Sequence, residues 1–176
     1  LVRTFQAVRL FPELSAFQNV EIGALGAGLS QRAARKAAGE LLERMHLGER
    51  AHMRASALPY GDERKLGIIR ALAMSPSFLL LDEPAAGLNE AESDELMHTI
   101  AGIRDDFGCG VLVIEHDMQL IMRLCERIQV LDYGKTICIG TPREVQMDHN
   151  VIVAYLGTKG EQTLHELEQE HGDAQG

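Results

Sequence analysis

Phe78-Leu79-Leu80-Leu81-Asp82-Glu83-Pro84 is the stretch that decides the fold. Four apolar residues run without interruption between the turn Ser75-Pro76-Ser77 and Pro84. A short apolar run bounded by turn residues predicts a strand buried on both faces, the habit of parallel sheets. The strand ends abruptly in two carboxylates, and open α/β sheets place their ligands at the carboxyl ends of strands. Asp82 is placed there to hold a Mg²⁺ ion directly or through water. Glu83, one residue on, points to a different side and can polarise a water for in-line attack on a phosphate. The plain alternative is a strand followed by a helix-capping acid, and this segment alone does not separate the two.

Working outward, Val111-Leu112-Val113-Ile114 predicts a second buried strand, and Glu115-His116-Asp117 follows it. Two neighbouring parallel strands would then present Asp82, Glu83 and His116 at one sheet edge. On its own His116 reads as a packed or capping histidine; beside the acidic pair a functional role is the better reading. Tyr60-Gly61-Asp62 opens a helix over residues 61–74, and a glycine at a helix start leaves backbone N–H groups for an anion. Gln6, leaving the apolar start of the chain, says nothing by itself.

The remaining elements follow from periodicity and caps. Residues 19–25 predict a helix. Ser30 caps an amphipathic helix over residues 31–47, with Ala34, Ala38, Leu41, Leu42 and Met45 on one face and Arg32, Lys36 and Glu43 on the other. Asn89 with Glu92 at the third position predicts a capped helix reaching Phe107. Residues 118–125 predict a helix, 127–132 a third strand, and Tyr133-Gly134 a turn into residues 135–139. Thr141-Pro142-Arg143-Glu144 combines a cap, a first-turn proline and a third-position glutamate. Strands alternating with helices imply an α/β domain with a largely parallel sheet. The expected organisation is residues 1–16 of the core, a helical subdomain at 17–57, the core again at 58–140, C-terminal helices at 141–157 and an acidic tail at 158–176.

Composition narrows the function classes. The 176 residues have a net charge of −9, 45% hydrophobic and 24% charged residues, the profile of an ordinary globular domain able to bury a core. The acidic balance argues against nucleic acid as a partner. No apolar run approaches the length that spans a bilayer. Three scattered cysteines, Cys109, Cys125 and Cys138, make neither a disulfide framework nor a zinc site.

The order and spacing of these pieces resemble the ATP-binding subunits of ABC transporters across residues 1–157. Arg3-Thr4-Phe5-Gln6 is similar to the Q-loop, Leu58-Pro59-Tyr60-Gly61-Asp62 occupies the signature position, and Leu79 to Pro84 matches the Walker B strand with its glutamate. Ala86-Gly87-Leu88-Asn89 sits where the D-loop sits, and Ile114-Glu115-His116-Asp117 matches the switch histidine. Asp82-Glu83-Pro84-Ala85-Ala86-Gly87-Leu88-Asn89 and the ending Ala154-Tyr155-Leu156-Gly157 resemble the branched-chain (hydrophobic) amino acid uptake subfamily in particular. The resemblance implies a P-loop NTPase-like α/β fold with an inserted helical subdomain, and a dimer of ATP-binding subunits sandwiching ATP and Mg²⁺. It implies integral membrane permease subunits as partners, a solute-binding protein indirectly, and a peripheral place on the cytoplasmic face of the inner membrane. By the same likeness Gln6 senses Mg²⁺ and the γ-phosphate, Asp82 supports Mg²⁺, and Glu83 positions or deprotonates the attacking water. His116 meets the γ-phosphate, while Tyr60, Gly61, Asp62 and Asn89 line the nucleotide from the signature and D-loop sides.

There are departures. A hydroxyl is lost at Pro59, Tyr60 replaces a glycine, and Asp62 adds a negative charge where a phosphate is expected. Asn89 stands in place of the D-loop aspartate. The phosphate loop Gly-x-x-x-x-Gly-Lys-[Ser/Thr] does not occur. Gly134-Lys135-Thr136 is a decoy, since Gln129 stands five residues before Gly134 and the context is a hairpin. His165 and His171 lie six apart, not the four of a zinc-protease helix. The expectation is therefore a domain truncated at its N-terminus and inactive alone. A naturally truncated, non-catalytic partner subunit is the alternative, and a non-transport ABC ATPase ranks below both.

Overall fold

The computed structural model describes residues 2–3 and 10–156. Gln6 and the acidic stretch 158–176 lie outside the described residues. The chain divides into two compact units, residues 1–116 and 117–176.

In the first unit, β1 (Val2–Arg3), β2 (Phe78–Asp82) and β3 (Gly110–Ile114) form a parallel sheet with β2 in the middle. Val2 pairs with Leu79, and Phe78 through Asp82 pair in step with Gly110 through Ile114. Paired residues share a face, so Leu79, Leu81, Val111 and Val113 look one way and Leu80, Asp82, Leu112 and Ile114 the other.

The strands are not buried on both faces as their composition suggests. Leu79 and Leu81 are fully buried, yet Phe78 is 60% exposed, Leu112 55% and Ile114 50%. A continuous apolar run does not say how many layers cover it. Here α4 (Glu90–Phe107) packs on β3 and contributes Leu96, Ile100 and Ile103 to the core. Among the described residues the face of Leu112 and Ile114 is left open.

Between β1 and β2 the chain builds a helical lobe from α1 (Ala16–Gly26), α2 (Gln31–Arg44) and α3 (Tyr60–Leu72), with 3₁₀ turns at Gly48–Arg50 and Ala55–Ala57. α1 begins three residues before the apolar pattern of residues 19–25, because Ser15 and Gln18 form a capping box. Asn19, fully buried, accepts from the Phe11 N–H at 2.8 Å and donates to the Phe11 and Ser15 carbonyls at 3.0 Å. One amide thus ties the entry loop to the helix. Gly23 lets α1 approach α3 closely, since a Cβ there would lie 2.6 Å from the Arg70 carbonyl oxygen. Ser30 caps α2 as its position predicts. At the far end of α2, Arg44 bonds the Asp106 carbonyl at 3.1 Å and lies over the Phe107 ring, fastening the lobe to α4.

The second unit holds α5 (Met118–Leu124), the antiparallel hairpin of β4 (Ile128–Asp132) and β5 (Lys135–Gly140), α6 (Pro142–Gln146) and α7 (His149–Leu156). Tyr133 at φ 43° and Gly134 at φ 77° make the two-residue turn with both central residues left-handed. Gly134-Lys135-Thr136 therefore opens a hairpin strand, not a helix. No described helix is long and apolar enough to cross a membrane.

Candidate active site

The site grows from the carboxyl ends of β2 and β3. Asp82, the last residue of β2, pairs with Ile114 and shares its face. Glu83 then leaves the strand with φ 45°, in the left-handed region. For a residue with a Cβ this conformation costs on the order of 1–3 kcal/mol and persists only where the surroundings over-determine it. They do so here. The Glu83 N–H donates to the Ile114 carbonyl at 2.8 Å, the Ala86 N–H turns back to the Glu83 carbonyl at 3.2 Å, and the Leu88 N–H bonds the Ala85 carbonyl.

The next strand supplies the histidine. His116 Nδ1 lies 3.7 Å from Glu83 Oε1, with the imidazole 78% exposed and the Glu83 side chain 31% exposed. Sheet register thus brings Asp82, Glu83 and His116 to one edge, as the two strand endings suggest. The arrangement offers a half-buried carboxylate to orient a water and an open imidazole to meet an anion beside it.

The signature-position residues stand on α3. Pro59 precedes the helix without a side-chain cap, so its first N–H groups have no such acceptor. Tyr60 reaches the loop after Glu83: its hydroxyl donates to the Ala86 carbonyl at 3.2 Å and accepts from Arg64 at 2.7 Å. Arg64, buried and stacked over the Tyr60 ring, donates to the same Ala86 carbonyl. Gly87, at φ 80°, leaves room for that ring, since a Cβ would sit 3.2 Å from it. Asn89 is occupied as the cap of α4, in the reciprocal box with Glu92 that the sequence predicts.

Asp62 is not a bare charge. Its carboxylate contacts the Arg50 guanidinium from the Gly48–Arg50 turn, which offsets the burden expected on an anion near Gly61. Buried Lys65 pairs with Glu95 in the same way. These pairs line a cavity of about 520 Å³ shared with Glu43, Glu49, Gly61 and Glu92. Its cations are matched by carboxylates, so it has no surplus positive charge for an anion.

Two contributors escaped the reading of the sequence. One is Arg64, which together with Tyr60 braces the Ala86 carbonyl. The other is Glu115, whose side chain is 2% exposed and whose Oε1 accepts from the Ala85 N–H at 3.1 Å. Strand alternation was the available signal, because Val111, Val113 and Glu115 fall on the inward face.

Among the described residues no three His, Cys, Asp or Glu side chains gather as a metal cage. That donor set does not fit a metal held by protein alone. It fits Mg²⁺ as nucleotides bring it, which takes one or two carboxylates with water and phosphate oxygens completing the shell; Asp82 is the carboxylate at the strand end.

The comparisons with known proteins bear on the family and the fold. The family model described as ABC transporter matches residues 1–86. The chain is 42% identical over 172 aligned positions to the high-affinity branched-chain amino acid transport ATP-binding protein LivG of Salmonella typhimurium, covering 89% of this chain and 68% of that one. BraF of Pseudomonas aeruginosa, named for the same transport, is 41% identical with the same coverage. The solved structure of cbiO1 from Clostridium perfringens, part of an ABC transporter complex, superposes with a TM-score of 0.77 at 28% identity, over 93% of this chain and 66% of that one. The chain thus spans about two thirds of the length of the relatives it matches. By sequence and fold it belongs to the ATP-binding subunits of the ABC transporter family, within the branched-chain amino acid group.

Proposed function

We propose that this chain contributes the hydrolytic edge of an ATPase that energises import of branched-chain amino acids. The observation that supports it best is the pairing of Glu83, fixed at φ 45° by the Ile114 carbonyl, with His116 at 3.7 Å. In this reading Glu83 orients the attacking water and receives its proton, and His116 donates to the γ-phosphate. Asp82 and Gln6 would hold Mg²⁺, which neutralises charge on the phosphate oxygens when bound. The start of α3 at Tyr60, Gly61 and Asp62, with Asn89, faces the nucleotide held mainly by a second ATP-binding subunit.

The names of LivG and BraF support the amino acid substrate class. The assembly proposed is a homo- or heterodimer on integral permease subunits at the cytoplasmic face of the inner membrane, fed by a solute-binding protein. These 176 residues contain no Gly-x-x-x-x-Gly-Lys-[Ser/Thr], so they do not themselves supply that phosphate cradle. The 176-residue polypeptide by itself is expected to turn over negligible ATP.

The deciding experiment replaces Glu83 by Gln in the assembled transporter. Phosphate release should fall on the order of 10²–10⁴-fold while ATP binding persists. An unchanged rate would remove Glu83 from this role.

A further inference from the structure

We propose that Glu115 is a positioning residue for Glu83, acting through the backbone of the turn that follows it. The inference rests on the reading of Glu83 above and adds a residue to it. A carboxylate is costly to bury unless hydrogen bonds or counter-charges compensate it. Glu115 is buried, with 2% of its side chain exposed, and its acceptor atoms are committed to two backbone donors. Oε1 takes the Ala85 N–H at 3.1 Å, and Oε2 takes the N–H of His116 at 3.3 Å.

Those two donors lie on the two functional segments. Ala85 is two residues beyond Glu83, and His116 Nδ1 stands between the carboxylates, 3.7 Å from Glu83 Oε1 and 3.8 Å from Glu115 Oε2. The end of β3 therefore grips the Glu83 turn on both sides of Pro84: Ile114 accepts from the Glu83 N–H, and Glu115 accepts from the Ala85 N–H. Tyr60 and Arg64 hold the Ala86 carbonyl from the opposite element. A left-handed Glu83 needs such over-determination. Glu115 does not face the open edge. Its contribution is to fix the orientation of the peptides that aim Glu83.

The geometry separates reach from charge. Gln keeps an Oε1 acceptor for the Ala85 N–H. Asp keeps the charge but withdraws the carboxylate by one carbon. Ala removes both.

The test measures ATP hydrolysis in the assembled transporter with Glu115→Gln, Glu115→Asp and Glu115→Ala, alongside Glu83→Gln. Hydrogen exchange of the peptide spanning residues 83–88 is followed in the same preparations. Glu115→Ala and Glu115→Asp should lower kcat, toward the roughly 10²-fold that a displacement of about 1 Å costs, with KM for ATP within about twofold. Both should speed exchange in residues 83–88. Glu115→Gln should keep most of kcat and the slow exchange. If Glu115→Ala does not fold, the contrast between Gln and Asp decides alone. Unchanged kcat in Glu115→Asp, a loss confined to KM, or equal damage from Gln and Asp would overturn the proposal. If Glu83→Gln itself leaves turnover unchanged, the functional reading fails instead.

Discussion

His116 stands 3.7 Å from Glu83 across two neighbouring parallel strands, with its ring open to solvent and the Glu83 side chain about two thirds covered. The contrast separates catalytic from structural cost. Removing an exposed side chain seldom changes stability by more than about 0.5 kcal/mol. In the assembled transporter, His116→Ala should therefore melt within a degree or two of the parent while hydrolysis drops on the order of 10²-fold. Calorimetry and phosphate release on the same preparation check this. A matching loss of Tm would make His116 a structural residue.

The partition of legible from illegible features follows from what local patterns encode. Apolar runs and caps are local, so the strand endings at Asp82 and Ile114, the boxes at Asn89 and Thr141, and the hairpin at Tyr133-Gly134 could be placed from the sequence. Layering is not local. Leu112 and Ile114 are as apolar as Leu79 and Leu81, yet stand half exposed, because alternation fixes which residues share a face and not whether that face is covered. Nor are long-range polar contacts local. Arg50 meets Asp62 through a turn of the lobe, and Glu115 meets Ala85 across a sequence separation of 30. Such pairs become visible only when register is known.

Asn19 gives the same lesson as a prediction. Within an apolar helix pattern it looks incidental, but its buried amide serves the Phe11 N–H, the Phe11 carbonyl and the Ser15 carbonyl. Asn19→Ala deletes the partner and strands the Phe11 N–H, while the Phe11 and Ser15 carbonyls keep the backbone N–H groups of Leu14 and residue 19. A buried polar group left unsatisfied costs about 1–3 kcal/mol, so a loss of that order is expected in denaturant unfolding of the assembled protein's helical lobe. Asn19→Asp keeps the acceptor for the Phe11 N–H but sets a buried carboxylate oxygen against the Phe11 and Ser15 carbonyls, so it should cost at least as much as Asn19→Ala. A change below about 0.5 kcal/mol in Asn19→Ala would mean that the loop is held by other contacts.

The box at the start of α6 makes a prediction about pH. The Thr141 N–H and hydroxyl both donate to Glu144 Oε2, at 2.7 and 2.9 Å. The backbone bond first, then the hydroxyl, and after them the charge of Arg127, hold the Glu144 carboxyl below its ordinary 4.5. These bonds favour the ionised form. A depressed folded-state pKa contributes stability that is present above the unfolded value and is lost as pH falls through the folded one. Acidification below about pH 4.5 should therefore loosen α6 at its first turn. The effect is read as faster amide exchange at Val145, whose N–H bonds the Thr141 carbonyl. Thr141→Ala removes the hydroxyl donor and leaves the N–H, so the carbon-detected titration midpoint of Glu144 should rise part of the way toward 4.5. The acid-induced loosening of α6 should then still begin near pH 4.5 but be smaller and be complete at a higher pH. A midpoint at or above 4.5 in the parent chain would show that the box does not hold the charge in solution.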